Sequence, residues 1–82
     1  MEKRIGTITI LINDREAATA VNRLLSEHAD IILCRQGLPL HDRPVAVISL
    51  IVEGCMDSVN ALTGILGRVK GVDCKAVVTK IS

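Results

Sequence analysis

The sequence predicts an α+β domain in which two helices cover one face of a four-stranded antiparallel sheet. Four short segments are rich in Ile, Val and Thr, as strands are. Two further segments repeat apolar residues at helical spacing, and the six segments follow the order β-α-β-β-α-β. This order favours the ferredoxin-like split βαβ arrangement, with the first and third strands in the centre and the others at the edges.

The first strand and the first helix are the clearest of these elements. Residues 5–12 are almost all aliphatic or threonine and predict a strand. Either Asn13 or Asp14 is expected to begin the helix, and with Asn13 as N-cap, Glu16 occupies the N3 position of a capping box. Apolar residues then recur at helical spacing to Ala29.

The middle of the chain predicts a hairpin. Residues 31–40 form its first strand, in which Gly37 indicates a bulge and Pro39 restricts the strand to a sheet edge. Residues 41–43 are a polar turn, and residues 45–52 form a nearly uninterrupted apolar strand.

The last third of the chain predicts a helix followed by a strand. Asp57 or Ser58 is expected to cap the second helix at its start. Gly71 stands where a C-cap glycine would end that helix, and residues 72–81 then form the last strand.

The composition bounds the class of protein. The 82 residues allow one domain, residues 1–82, and because Phe, Tyr and Trp are absent its core must be aliphatic. A net charge of +1 provides no basic surface for nucleic acid or an anionic membrane. Neither a signal peptide nor an apolar run long enough for a bilayer is evident, which predicts a cytoplasmic protein with no membrane partner.

The sheet face opposite the helices is the most informative feature. A sheet covered on one side should alternate apolar and polar residues, yet both faces of the predicted strands are largely aliphatic. Such a face predicts contact with another subunit in a homo-oligomer, a dimer or tetramer, against the alternative that β-propensity alone explains it. The residues predicted at this interface are Thr7, Thr9, Val45, Val47, Ser49 and Ile51.

No constellation for catalysis or metal binding is apparent. An odd number of cysteines without a CxxC pair argues against disulfides and a zinc site. Cys34 and Cys74 are predicted to be small buried hydrophobes, whereas Cys55 stands before a helix, where a thiolate can be stabilised. His28 and His41 fall at opposite ends of the sheet. We therefore predict no enzymatic activity, no cofactor and no bound metal.

One end of the domain gathers polar groups from the start of the first helix, the hairpin turn and the end of the second helix. Free N–H groups at a helix start can hold an anion. Asp14 and Glu16 would oppose an anion there, which favours an interpretation as solvated loops.

Three stretches resemble a known family: CRQGLPL at 34–40, ALTGILGRVKGV at 61–72 and CKAVVTK at 74–80. The pairing of Arg-x-Gly-x-Pro with Leu-x-Gly-x-Leu-Gly-Arg-x-x-Gly-Val is similar to the iron-only hydrogenase system regulators over nearly the whole chain. This resemblance implies an ACT-like fold, similar to the C-terminal domain of nickel-responsive regulators. It also implies oligomers that bind small effectors at subunit interfaces, often near the first strand–helix junction.

The leading hypothesis is thus a non-enzymatic regulator associated with the iron-only hydrogenase system. Its oligomeric ACT-like domain is expected to bind a small effector at a subunit interface through Asn13, Arg35 and Gly37. Arg35 offers a guanidinium fork to a carboxylate or phosphate. A separate DNA-binding or hydrogenase-maturation protein is the expected partner. The alternative is a scaffold or assembly factor that acts through protein–protein association without a ligand.

Two other classes share the topology and are disfavoured. An RNA-binding module stacks bases on aromatic residues of its sheet, and this chain has none. An enzyme of the acylphosphatase type needs a glycine-rich anion loop after the first strand, where this chain has Asn13, Asp14 and Arg15.

Overall fold

The computed structural model describes residues 2–79, which form four strands, two helices and a single 3-10 turn. The aliphatic runs form the strands and the amphipathic segments form the helices, as their periodicities require. Their bounds are β1 (Arg4–Ile12), α1 (Ala17–Glu27), the 3-10 turn (Ala29–Ile31), β2 (Ile32–Pro39), β3 (Ala46–Gly54), α2 (Met56–Gly67) and β4 (Val72–Thr79).

The four strands form one antiparallel sheet in the order β2-β3-β1-β4. The prediction that the first and third strands are central is therefore confirmed. Pro39 ends the edge strand β2, opposite Ala46, where its missing N–H leaves no interior ladder bond unmade. The α+β class and the ferredoxin-like order are both confirmed.

Both helices pack on the same side of the sheet, over alternate residues of the strands. The core is aliphatic throughout, and no polar side chain is buried among the described residues. Leu50 of β3 and Leu62 of α2 are completely buried at its centre. The buried residues of the central strands are Ile8, Ile10 and Ile12 of β1 and Ile48, Leu50 and Val52 of β3.

The bulge predicted at Gly37 is wrong. Gly37 pairs in register with Ile48, and the irregularity of β2 lies between Ile32 and Cys34. The chain enters β2 directly from the 3-10 turn, so the extra residue is accommodated where the strand begins. A side chain at position 37 would meet nothing within 4 Å, because β2 is an open edge.

The capping box predicted at Asn13 is also wrong. The Asn13 side chain donates to Asp73 Oδ2 at 3.0 Å, and its backbone N–H donates to the carbonyl of Gly71 at 2.7 Å. These bonds tie the end of β1 to the segment entering β4. Asp14 starts the helical turn instead, because its Oδ1 accepts the N–H of Glu16 at 3.0 Å. Regular α1 begins at Ala17.

The second helix begins earlier than predicted and ends before Gly71. Cys55 is the N-cap, since its carbonyl accepts the N–H of Val59 at 3.1 Å, so Asp57 lies inside the first turn. α2 ends at Gly67, and tighter i→i+3 bonds continue the chain from there. Gly71 does adopt the left-handed conformation, with φ of 83°, but in the loop before β4.

The strand boundaries otherwise shift by one or two residues. β3 starts at Ala46 and runs on to Gly54, where we predicted 45–52. β4 is seen to Thr79. The predicted continuation of that strand to Ile81 lies outside the described residues.

Candidate functional site

The sheet surface turned away from the helices is the first candidate site. We call it the free face. Its members alternate with the buried residues along each strand and are therefore mutually adjacent. They are Ile5, Thr7, Thr9 and Leu11 of β1, Val47, Ser49, Ile51 and Glu53 of β3, Cys34, Gln36 and Leu38 of β2, and Asp73, Lys75, Val77 and Thr79 of β4.

The structure brings most of the predicted interface residues together on the free face. Thr7 lies opposite Ile51, and Thr9 lies opposite Ser49, with Val47 one step along β3. Val45 is different, because it precedes β3 and belongs to the hairpin, where its carbonyl accepts the N–H of Leu40 at 3.1 Å. It therefore lies just beyond the start of β3, two residues before Val47.

Large apolar side chains on the free face remain in contact with solvent. Ile51 is 41% exposed at the centre of the sheet, and Val77 is 65% exposed on the edge strand β4. On the opposite edge Leu38 is 59% exposed. The charged members of the face are Glu53, Asp73 and Lys75, so its centre carries no charge.

The three predicted ligand-binding residues do not form one cluster. Asn13 bonds across to β4 through Asp73. Arg35 lies on the helix side of β2 and donates from Nη2 to Asn22 Oδ1 of α1 at 2.8 Å. Gly37 lies on the same open edge as Arg35, two strands away from β1.

A cavity of about 310 Å³ lies between the start of α1 and the β2–β3 hairpin. Its wall is mainly apolar and includes Ile12, Ala18, Pro39 and Pro44, and two arginines, Arg15 and Arg43, line it as well. The polar end that the sequence indicated therefore contains a half-open pocket as well as loops. Spacing alone could not reveal it, because the two arginines are brought together only by the fold.

Cys55 is the N-cap residue of α2, and its thiol lies close to a hydroxyl group. Its Sγ lies 3.2 Å from Ser58 Oγ, one turn into α2. That hydrogen bond and the backbone N–H of Ser58 hold the pKa of the Cys55 thiol below its ordinary value, partly opposed by desolvation and the Asp57 carboxylate. The helix start stabilises a thiolate in the same sense, as predicted for this position.

The other two cysteines differ from each other. Cys74 is half-buried against the core, donates to the carbonyl of Thr63, and has its pKa raised mainly by burial. Cys34 was predicted to be buried, and this is wrong: it is exposed, because it lies on the free face of the edge strand β2, turned away from the helices. All three thiols are free.

The histidines have ordinary structural positions. His28 closes α1 at its C-cap, with Nδ1 2.8 Å from the carbonyl oxygen of Leu24. His41 is exposed in the hairpin turn. Within residues 2–79, no three His, Cys, Asp or Glu side chains come together as metal ligands. Over the same residues, neither helix has the length and apolar character needed to cross a bilayer.

The chain matches known proteins both in sequence and in fold. The sequence model of the TM1266-like family, described as iron-only hydrogenase system regulators, matches residues 4–76. The chain is similar to the uncharacterized protein TM1266 from Thermotoga maritima, at 40% identity and a TM-score of 0.90. That match covers 96% of this chain and 100% of the other. No curated protein matches the chain.

More distant solved structures share the fold alone. The C-terminal domain of the MgtC protein from Mycobacterium tuberculosis has 10% identity and a TM-score of 0.73, covering 94% of this chain and 88% of that one. The divalent ion tolerance protein CutA1 from Ehrlichia chaffeensis has 14% identity and a TM-score of 0.51, covering 98% and 85%. These likenesses agree with the ferredoxin-like order of the strands.

Proposed function

The chain belongs to the TM1266-like family of iron-only hydrogenase system regulators, and on that premise we propose that it is a regulatory domain that assembles with copies of itself. In this proposal the free face is the interface, and a small effector changes the strength of association. Regulation then follows from differential binding of the effector to the associated and dissociated states. The regulated chain is a separate DNA-binding or hydrogenase-maturation protein.

The free face is the observation that carries the proposal. Interface cores are depleted in charge relative to the rest of a protein surface. Here the central strands present Thr7, Thr9, Val47, Ser49 and Ile51 with no charge among them. The charged members of the face stand at its margin, where a polar rim is expected.

The size of the face is sufficient for a dimer. Four strands about 4.8 Å apart, each with about eight residues rising 3.3 Å, present roughly 500 Å² in projection. A biological interface buries at least about 1,000 Å² in total, or about 500 Å² from each partner. Side-chain relief adds to the projected area, so one face against its copy meets this requirement.

A two-fold arrangement is the simplest assembly. In an isologous dimer the same patch is used by both subunits, so each residue contributes twice. Ile51 is 41% exposed, and covering it would gain about two fifths of the roughly 1.5–3 kcal/mol for full burial. Two copies of Ile51 would together contribute about 1–2.5 kcal/mol.

Light scattering after size exclusion tests the proposal. We expect the chain to have at least twice the monomer mass of 8.8 kDa, with dissociation on dilution. Ile51→Lys should weaken association about tenfold or more, because it removes that burial and brings like charges together. Asn60→Lys adds the same charge on the exposed surface of α2 and is the matched control.

Two results would contradict the proposed interface. The first is a monomeric mass for the unaltered chain across the whole concentration range. The second is equal dissociation of the Ile51→Lys and Asn60→Lys proteins, which would place the interface elsewhere.

A scaffold that needs no effector is the second candidate. It is favoured by the placement of Asn13 and Arg35, whose side chains are engaged by Asp73 and Asn22 of the same chain. Thermal-shift measurements against metabolites, nucleotides and metal salts separate the two candidates. A uniform lack of stabilisation in an oligomeric protein would favour the scaffold.

A further inference from the structure

The cavity between α1 and the hairpin has the chemistry of a small-molecule site. At about 310 Å³ it lies near the lower end of the range for ligand pockets, so it suits a small molecule. Elements distant in sequence form it: the end of β1, the start of α1 and the residues that join β2 to β3. A pocket built from several elements is held in shape by the fold.

The cavity wall is suited to a hydrocarbon. Ile12 is almost fully buried at the end of β1, and Ala18 is half-buried in α1. Pro39 and Pro44 contribute ring carbons and have no backbone N–H. The hairpin also satisfies its own groups, since the Val45 N–H donates to the carbonyl of Arg43 at 2.8 Å. Few backbone donors remain for a ligand.

The charged groups of the cavity are both cationic. Among residues 2–79 no ion pair or side-chain hydrogen bond engages the Arg15 guanidinium. Arg43 Nε lies 3.5 Å from Asp42 Oδ1, but both side chains are more than 60% exposed, and such surface pairs contribute little. A ligand anion can therefore compete for Arg43.

The nearby carboxylate of Asp14 does not cancel this charge. Its Oδ1 accepts the N–H of Glu16, and its Cβ packs toward Gly71, on the side of the junction that faces β4. No acidic side chain lines the cavity, and the Asp42 carboxylate beside it already faces the Arg43 guanidinium, so the lining favours an anion over an ammonium group. The wall and the charges together select an anion with an apolar body.

We propose that this cavity binds a small carboxylic acid that has a short aliphatic body and no amino group. Arg15 and Arg43 hold the carboxylate through charge-assisted hydrogen bonds, and the hydrocarbon rests against Ile12, Ala18 and the prolines. The inference rests on the proposed function, since it names the effector class that such a regulator would sense. It also replaces Asn13, Arg35 and Gly37 as the expected ligand contacts.

Amide NMR spectra of the isotope-labelled full chain test the site with four probes. Isovalerate carries both required features. Isoamyl alcohol keeps the hydrocarbon without charge, isoamylamine reverses the charge, and inorganic phosphate is an anion without a hydrocarbon. We expect isovalerate alone to give saturable shifts, confined to residues 12–18 and 39–46, at concentrations up to tens of millimolar.

Substitutions then assign the contacts. Arg15→Gln and Arg43→Gln should each weaken isovalerate binding about tenfold or more, as loss of a charge-assisted bond requires. Ala18→Leu fills the wall without changing charge and should weaken binding similarly. Arg23→Gln, on the exposed surface of α1, and Arg35→Gln remove the same charge outside the cavity and should leave affinity unchanged.

Several outcomes would overturn the inference: no isovalerate shifts, equal shifts from isoamyl alcohol or phosphate, stronger binding of isoamylamine, or equal loss in Arg23→Gln. These outcomes differ from failure of the proposed function. If the protein is monomeric and still binds isovalerate through Arg15 and Arg43, the proposed cavity site is supported and the proposed interface is contradicted. If the protein is oligomeric and does not bind isovalerate, the proposed interface is supported, the cavity site is contradicted, and the scaffold function is favoured.

Discussion

Two glycines of this chain should respond in opposite directions to the same substitution. Gly64 lies within α2 and Gly71 in the loop before β4. A methyl group at position 64 meets nothing within 4 Å. At position 71 it would lie 2.5 Å from the Cβ of Asp14, in a backbone conformation with φ of 83°. One environment tolerates alanine and the other excludes it.

The expected magnitudes follow from these environments. Gly64→Ala removes the helix penalty of glycine, so the free energy of unfolding should rise by about 0.5–1 kcal/mol. Gly71→Ala incurs about 1–2 kcal/mol for a left-handed alanine and roughly 1–3 kcal/mol for displacing the Asp14 junction. Its free energy of unfolding should therefore fall by about 2–5 kcal/mol.

Thermal and urea unfolding measure both effects. For a domain of this size about 1 kcal/mol shifts the melting temperature by roughly 4–8 °C, so the two variants should melt on opposite sides of the parent. Asp14→Gly removes the contacting Cβ but also the bond to the Glu16 N–H, so the double variant is compared with Asp14→Gly alone. In that background Gly71→Ala should cost only the part due to the left-handed conformation. A Gly71→Ala protein within about 0.5 kcal/mol of the parent would refute the reasoning. The same junction positions Arg15, so isovalerate binding should weaken in Gly71→Ala.

Three further outcomes are expected. Leu62→Ala should lower the free energy of unfolding by about 2–5 kcal/mol, because Leu62 is completely buried; a loss under about 1 kcal/mol in urea unfolding would contradict that packing. Asn13→Ala should lower it by only about 0.5–1 kcal/mol, since its bond to Asp73 is exposed, and an Asp73→Ala background should abolish the difference. Ser58→Ala removes the main cause of the lowered Cys55 pKa. The pH midpoint of Cys55 alkylation should therefore move upward, and an unchanged midpoint would exclude the hydrogen bond as its cause.

The sequence was sufficient for the order of elements and for the sheet because both depend on local periodicity. Residues 5–12 alternate under any β assignment, and the right-handed crossover rule then fixes which strands are central. Pro39 lacks a backbone N–H, and this predicted that its strand lies at an edge of the sheet. The family resemblance, from motifs spread over residues 34–80, was confirmed by the match over residues 4–76.

Local signals misled where a long-range contact outweighed them. Asn13 and Glu16 have the spacing of a capping box, but Asp73, sixty residues away, takes the Asn13 side chain. Gly37 has the composition of a bulge, but the 3-10 turn absorbs the extra residue near Ile32. Such competition cannot be read from neighbours along the chain.

Of the two candidate sites, one could be predicted from the sequence and the other could not. The sequence by itself determined which strand residues share the free face, since alternation assigns each strand residue to one side of a sheet once the strands are known. Only the tertiary structure decided that Arg15 and Arg43, separated by β2 and the whole of α1, line one apolar cavity. The physical reason is that a pocket is a property of the space between elements, and spacing along the chain records neither its shape nor its depth.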